Sequence, residues 1–525
     1  MKRRIAIVSV VWAMTWLLVP LAAGWTALWP SVVALVSVFL LNRSITGLLL
    51  GASAGLLLLA GGNPMVAVVS GVTDHLWPAL TSTWNLSVLA FTLLLGGFAA
   101  LLEKGGGLQA LTTGWLRRGV HGGRHIQLSA YLLGLICFFD GLANSMLVGK
   151  SISPMAEKVG VSRQKLAYIV DSTSSAVACV AVISTWIAYQ LSMIREGLVQ
   201  ADVEGNAFAL FLRSIPFNFY CWFTLILLMV VILRGWDIGP MKKFENAERP
   251  SDRALDGGSV ERSSLPAVVP IGFLIIGLLV GLYLDGAEGA MAPFTLEKVS
   301  AAFGNANAAL VLVVVSLLAC VLGFGMNFGP IRDQGGNAGA VFLSGVRNLL
   351  RPVLILVSAW LLSSTLKGLE ATDVLSGMLQ SRLNGELFPL LVFVVGALIS
   401  FSTGTSWGTM GILMPLALPV ALGYSGGELT GVIHATIAAV FSGAVFGDHC
   451  SPFSDTTIVS SVSCGVEPMD HVRTQLPYAM IAAIFAVAVG FLPAGFGWSP
   501  YAALGVGAAG LVALPVVFGG RRTVG

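Results

Sequence analysis

The run IQLSAYLLGLICFFDGLANSMLVG, residues 126–149, decides how the rest of the chain must be threaded. It is apolar enough to enter a bilayer, yet Asp140, Gly141 and Asn144 interrupt it past its middle. The loops on either side are both basic: Lys104, Arg117, Arg118 and Arg124 precede it, and Lys150, Lys158, Arg163 and Lys165 follow. Basic loops remain on the cytoplasmic side of a membrane, so a single crossing between two of them is excluded. A re-entrant hairpin, entering and leaving on one side, satisfies both. A second hairpin is expected at 387–422, entered from the opposite side, with Ser402-Thr403-Gly404-Thr405-Ser406-Trp407-Gly408 at its tip.

Outward from these hairpins the chain is membrane protein throughout. Of its 525 residues, 56% are hydrophobic and 10% charged, and mean hydropathy is +0.86. A soluble domain carries roughly a quarter charged residues. Apolar runs about as long as a bilayer is thick recur near 5–23, 28–41, 45–61, 86–102, 166–190, 207–233, 266–284, 307–327, 352–366, 430–448, 476–495 and 499–518. The expected fold is thus an all-α polytopic membrane protein of about twelve transmembrane helices and two re-entrant hairpins. The first run, behind Lys2, Arg3 and Arg4, is taken as a retained span rather than a cleaved signal. Loop charges then put both termini in the cytoplasm, with Arg521 and Arg522 at the far end, and the protein in the cell inner membrane. The six cysteines are scattered without a C-x-x-C pair, which argues against a disulfide framework or zinc site. No phosphate-binding G-x-x-x-x-G-K-[ST] run is present, so an ATP-driven pump is not expected, nor any enzyme chemistry. The net charge of +3 carries no nucleic-acid signal, and no cofactor is called for.

Two stretches of the chain echo each other. Ser70-Gly71-Val72, Leu76, Pro78 and Leu80 match Ser344-Gly345-Val346, Leu350, Pro352 and Leu354 at identical spacing. Gly141 and Asp171 are separated as Gly404 and His434 are. With hairpins of opposite entry, the second half would be upside-down relative to the first. Inverted repeats with broken helices are an architecture of alternating-access transporters. The expected division is an N-terminal span at 1–26, repeats at 27–234 and 266–495, a cytoplasmic linker at 235–265, and a C-terminal span and tail at 496–525.

Carboxylates at membrane depth cost several kcal/mol and mark ion or substrate pathways. Asp140 breaks the first hairpin, and Asp171 opens the polar cluster Asp171-Ser172-Thr173-Ser174-Ser175 inside a span. Asp448 and Asp455 bracket Gly447-Asp448-His449-Cys450-Ser451-Pro452-Phe453-Ser454-Asp455-Thr456-Thr457. Hydroxyls and carbonyls freed at glycine-broken backbone supply the hard oxygen ligands that an alkali cation takes. The candidate ligands are therefore Asp140, Asn144, Asp171, Thr173, Thr403, Thr405, Asp448, Ser451, Ser454, Asp455 and Thr456, with sodium assigned to Asp171, Asp448 and Asp455. His434, at the repeat position of Asp171, is a candidate proton sensor.

The run from Gly447 to Thr457 resembles the signature of NhaC-type sodium/proton antiporters, within the larger ion transporter superfamily. Phe138-Phe139-Asp140 with Asn144, Lys165 to Thr173, Ile183-Ser184-Thr185-Trp186, Phe401 to Gly408 and His471-Val472-Arg473-Thr474-Gln475-Leu476-Pro477 are similar too, in the same order. Relatives often have two consecutive aspartates where this chain has Asp140-Gly141. The resemblance implies a secondary transporter exchanging cytoplasmic sodium for external protons. The alternative it leaves is an ion-coupled exchanger of an organic acid or amino acid, or a drug-efflux relative. Expected partners are sodium and protons or a small molecule, and the lipid bilayer, with a homodimer also allowed for.

Overall fold

The structure, a computed structural model, describes residues 2–21, 24–41, 43–110, 122–138, 140–247, 263–287, 295–380 and 382–517. It is all helical, with no strand among the described residues. About half of the expected linker, 248–262, and the C-terminal arginines lie outside that range, as does much of the first basic loop. The first half contains α1 (Lys2–Leu18), α2 (Trp29–Leu41), α3 (Ser44–Leu59), α4 (Pro64–Thr81), α5 (Thr83–Gly105), α6 (Gly123–Ile136), α7 (Gly141–Lys158) and α8 (Arg163–Val180). After them come α9 (Ile187–Gln200), α10 (Ala207–Phe217), α11 (Phe219–Arg234) and α12 (Gly239–Ala247). The second half begins with α13 (Leu265–Gly286), α14 (Leu296–Asn305), α15 (Ala308–Asp333), α16 (Ala338–Asn348), α17 (Leu350–Gly368) and α18 (Ala371–Gln380). It ends with α19 (Phe388–Thr403), α20 (Ser406–Tyr424), α21 (Gly431–Cys450), α22 (Asp455–Cys464), α23 (Pro468–Gly495) and α24 (Pro500–Val517).

Among the described residues ten helices are long and apolar enough to cross a membrane, or eleven if one bent pair counts as a span. About twelve were expected, and the difference has local causes. Helix α1 has 17 residues and α2 has 13, both short of a full crossing. Helix α3 turns by 113° into α4, a helix the hydropathy pattern did not isolate. There Gly61 and Gly62 take positive φ, and Asn63 caps α4 through its side chain. The run 166–190, expected as one span, is two helices separated by residues 181–186. The run 430–448 likewise ends in a break and resumes as α22. Each arm of 387–422 is a 19-residue stretch, long enough to cross by itself.

Two packing neighbourhoods carry the molecule. Helix α5 lies against α15 and α16, with α13 on α15, while α2, α3 and α17 form a neighbouring stack. The interrupted helices make up the other: α7, α8 and α22 pack on one another, and α19 lies along α21. Helices α9 and α17 meet α20 and so join the two. The base of α8 is latched by the segment after α11. Lys165 forms an ion pair with Asp237 in which the side chains are only 1% and 9% exposed. Ser162 N donates to Glu245 Oε1 at 2.7 Å, and Ile238 N donates to the Tyr478 hydroxyl at 3.0 Å. Removing one partner of a buried ion pair leaves the other charge uncompensated. Asp237→Ala is expected to cost about 3 kcal/mol. A lowered thermal midpoint in detergent would register it, and the paired replacement Lys165→Met with Asp237→Leu is expected to recover most of the loss.

Candidate functional site

Four helix breaks meet at one cavity. Residues 137–140 separate α6 from α7, 181–186 separate α8 from α9, 404–405 separate α19 from α20, and 451–454 separate α21 from α22. A break inside a membrane is tolerated only where freed backbone groups find partners or line a cavity. Ser184 Oγ donates to Ala178 O at 2.8 Å and accepts from Trp186 N at 3.2 Å, closing one end of the second break. Gln190 Nε2 donates to Cys179 O at 3.0 Å. At the fourth break Pro452 has no N–H to offer, and Thr456 and Thr457 hydroxyls donate to Asp448 O at 3.0 and 2.7 Å. The third break needs glycine. Gly404 sits at φ +64°, and a Cβ there would lie 2.6 Å from the Phe453 carbonyl carbon, so the tip of one break rests on another.

The cavity enclosed by these breaks has a volume of about 150 Å³. Asp140, Thr185, Trp186, Thr403, Thr405, Ser406, Asp448, Asp455, Thr456 and Arg351 are among the residues that line it. Asp448 is 5% exposed, its Oδ2 accepting from Ser406 Oγ at 2.8 Å and its Oδ1 from Ser454 Oγ at 3.3 Å. Two hydroxyls from two different breaks therefore hold one carboxylate. Asp455 is open, 67% exposed, with Arg351 Nη1 at 3.4 Å. Helices α7, α20 and α22 begin at this cavity, and α6, α19 and α21 end near it, so positive and negative dipole ends face one space.

Asp171 lies outside that cavity, in a fully buried cluster beside it. Its Oδ2 accepts from Gln475 Nε2 at 2.7 Å and from the Thr457 hydroxyl at 3.2 Å, and His471 Nε2 is also at 3.2 Å. Its Oδ1 accepts from Ser460 Oγ at 3.2 Å. Thr457 joins the two centres, because its single hydroxyl hydrogen has both Asp171 and the Asp448 carbonyl as acceptors. His449 is held between the Ser172 and Tyr220 hydroxyls, each 2.7 Å from a ring nitrogen.

The sequence profile of the Na+/H+ antiporter family matches residues 177–496, a range containing the second to fourth breaks and Asp448. The chain belongs to that family. It is a secondary antiporter and a multi-pass membrane protein, in keeping with the resemblance drawn from its motifs. A Haemophilus influenzae protein described as uncharacterized is 29% identical over 491 residues, 92% of this chain and 93% of its own. The Bacillus subtilis malate-2H(+)/Na(+)-lactate antiporter is 35% identical over 158 residues, 29% of this chain and 32% of that one. In fold the antiporter is similar to the Alcanivorax borkumensis YdaH transporter, with TM-score 0.58 and 17% identity over 83% of this chain and 90% of that one.

Of the residues singled out from sequence, Asp140, Thr403, Thr405, Asp448, Asp455 and Thr456 line the cavity of the antiporter. Ser454 reaches it through Asp448, and Ser451 is buried in the fourth break, where its Oγ accepts from Phe453 N at 3.3 Å. Asn144 instead ties helices together, its Nδ2 donating to Gly134 O at 2.9 Å and Thr173 O at 3.1 Å. The Thr173 hydroxyl is turned back on its own helix, donating to Ile169 O at 2.9 Å. His434 stands in the first turn of α21, fourteen residues from Asp448 and so about 21 Å along the helix. Its ring stacks near Phe217, and Asp171 does not occupy the corresponding turn of α8. A Cβ on Gly141 would meet Ser174 at an ordinary 3.6 Å.

Ser406, Thr457, Ser460, His471, Gln475 and Arg351 went unassigned. The spacing signals were present: His471 and Gln475 are i,i+4 and Thr457 and Ser460 are i,i+3, each pair on one helix face. What could not be read was which helix those faces meet.

Proposed function

We propose that this antiporter exchanges cytoplasmic Na+ for external H+ by alternating access across the cell inner membrane, with both termini cytoplasmic. Asp448 is the central cation ligand, assisted by the hydroxyls of Ser454, Thr456, Thr403 and Thr405 and by Asp140. Asp171, with His471 against it, is the second carboxylate of the exchange. The order helix–break–helix twice over, at 123–200 and again at 388–464, supports two repeats of inverted topology over 27–234 and 266–495. The observation that carries the reading is Asp448: a buried carboxylate on a cavity, held by the hydroxyls of Ser406, which opens α20, and Ser454, in the fourth break. Hydroxyl oxygens keep lone pairs for a cation while their hydrogens serve the carboxylate. A sodium ion and a proton each neutralise such a group, so they exclude one another there, and that exclusion couples their fluxes.

The test is sodium-driven proton movement in proteoliposomes, read by an internal pH dye, with potassium as the control cation. Sodium is expected to elicit a response and potassium a much smaller one. Because lower pH favours the competing proton, apparent sodium affinity is expected to weaken by up to about tenfold per pH unit, the limit for one proton displaced per ion. No dye response to sodium at any pH would refute the assignment of sodium. A response whose sodium affinity ignores pH would refute the shared carboxylate.

A further inference from the structure

Arg195 has donors and no acceptor. It is an exposed side chain near the end of α9, its guanidinium 4.7 Å from the centre of the Trp84 ring. Among the described residues that guanidinium takes part in no hydrogen bond or ion pair. A guanidinium carries five N–H donors in a planar fork, and a contact with a ring face uses none of them. Glu196, the next residue, is engaged with Ser363 instead. The indole N–H of Trp84 is buried and also lacks an acceptor.

Both side chains line a second cavity of about 280 Å³, many times the roughly 10–15 Å³ that one water needs. Asn206 and Ala207, where α10 begins, and Ala306 and Ala308, where α15 begins, form other parts of its wall. The Asn206 and Asn307 side chains each cap one N–H, those of Ala209 and Leu310, and a first turn leaves further N–H groups open. No carboxylate is among the residues that line this cavity. Asp202 is paired with Lys367, and Asp285 Oδ2 accepts from Asn307 N at 2.6 Å. A cavity walled by donors without acceptors suits an anion, and the arginine fork matches a phosphate in two-point fashion.

The level of the cavity favours one source of phosphate. Trp84 is in the first turn of α5, a 23-residue span about 34 Å long. The hydrocarbon core of a bilayer is about 30 Å thick, so Trp84 stands at the headgroups. Leu86 and Leu310, each two positions beyond a lining residue, are 52% and 51% exposed. Helices α5 and α15 thus offer apolar surface to acyl chains next to the cavity. Lys104 lies at the other end of α5, on the cytoplasmic side in the orientation proposed above, which puts the cavity in the outer leaflet. Only the choice of leaflet rests on that orientation.

We propose that this cavity binds the phosphate of an outer-leaflet phospholipid, with the Arg195 fork as its anchor and first-turn N–H groups of α10 as further donors. Helix α10 packs on α21, which carries Asp448, while α5 packs on α15. The lipid therefore ties the helices of the carboxylate site to the other packing neighbourhood at the membrane surface.

The probes are dioleoyl phosphatidylglycerol, dioleoyl phosphatidylethanolamine, dioleoylglycerol, which lacks the phosphate, and inorganic phosphate. Each is titrated into the full chain purified in detergent. Bound copies are counted by native mass spectrometry, and thermal midpoints are taken on the same samples. Both phospholipids are expected to bind a first copy more tightly than later ones and to raise the midpoint, and dioleoylglycerol to do neither. Arg195→Gln removes charge-assisted hydrogen bonds and is expected to weaken the first copy by about tenfold to a hundredfold. Arg195→Lys, which keeps the charge without the fork, is expected to fall between. Arg234→Gln, in the last turn of α11, is the control and is expected to bind as wild type does. Equal first-copy affinity in wild type and Arg195→Gln overturns the site, and so does dioleoylglycerol binding as well as the phospholipids. If inorganic phosphate displaces the lipid and raises the midpoint by itself, dependent on Arg195, the lipid assignment falls and the site belongs to free phosphate. The comparison of lipids needs only the wild-type chain, so it decides even where a variant fails to fold. No readout is transport, so this site and the sodium reading stand or fall separately.

Discussion

Asp448→Asn is expected to lower sodium-driven proton movement by about tenfold to a hundredfold, while the protein still folds. The amide keeps the volume of the carboxylate, and its oxygen can still accept from Ser406 or Ser454. The charge that a buried cation requires is lost, and a charged hydrogen-bonding partner contributes roughly 1.5–3 kcal/mol, with every 1.4 kcal/mol a factor of ten. Asp455→Asn should behave differently. That side chain is 67% exposed and faces Arg351, so its loss is expected to lower transport by less than about tenfold. Initial rates in proteoliposomes, normalised to protein, together with thermal midpoints of the same preparations, measure both variants. Near wild-type exchange by Asp448→Asn would remove Asp448 from the pathway. Equal losses in the two variants would mean that solvent exposure does not distinguish their roles.

The contrast between those aspartates shows what the sequence could and could not convey. Composition, loop charge and the position of Asp140 in an apolar run were enough for a polytopic helical membrane protein with interrupted helices, because bilayer thickness and the cost of buried charge act on single segments. The break at 181–186 was hidden, since Ile183-Ser184-Thr185-Trp186 is nearly as apolar as its flanks and the break is made by side chains that cap the backbone. Asp448 and Asp455 stand in one motif and looked alike; the break at 451–454 lies between a buried carboxylate and an exposed one. His471 and Gln475 belong to a helix far along the chain from Asp171, and only the packing of α8 and α23 brings them together. Nothing in the sequence singled out Arg351, which α17 brings into the cavity lining.

Gly447→Val is expected to leave almost no folded antiporter. Helices α19 and α21 touch along their backbones, with Gly443 and Gly447 one turn apart on the contact face. Small residues at that spacing let membrane helices approach closely. A Cβ at Gly443 would lie 2.9 Å from Phe393 O, and Ser400 Oγ donates to the Gly443 carbonyl across the same seam at 2.9 Å. At Gly447 the approach is closer still: a Cβ would stand 2.1 Å from the Ser400 carbonyl carbon and 2.4 Å from Phe401 N. No rotamer relieves a clash with backbone, so the helices must separate, and the seam leads directly to Asp448 and to the tip at Gly404. Overpacking of a tight core costs about 1–3 kcal/mol, and more where backbone must move. Gly447→Ala is expected to fold with reduced yield and to lose transport, because even a methyl pushes α21 and the Asp448–Ser406 contact apart. Gly505, on the outer helix α24, has nothing within 4 Å of where its Cβ would be. Gly505→Ala is therefore the control, expected to be neutral or to stabilise by roughly 0.5–1 kcal/mol. Size-exclusion profiles of the three variants in detergent give folded yield, and thermal midpoints rank them. A monodisperse Gly447→Val with wild-type midpoint and exchange would mean that the close approach of α19 and α21 is not what holds the two breaks together.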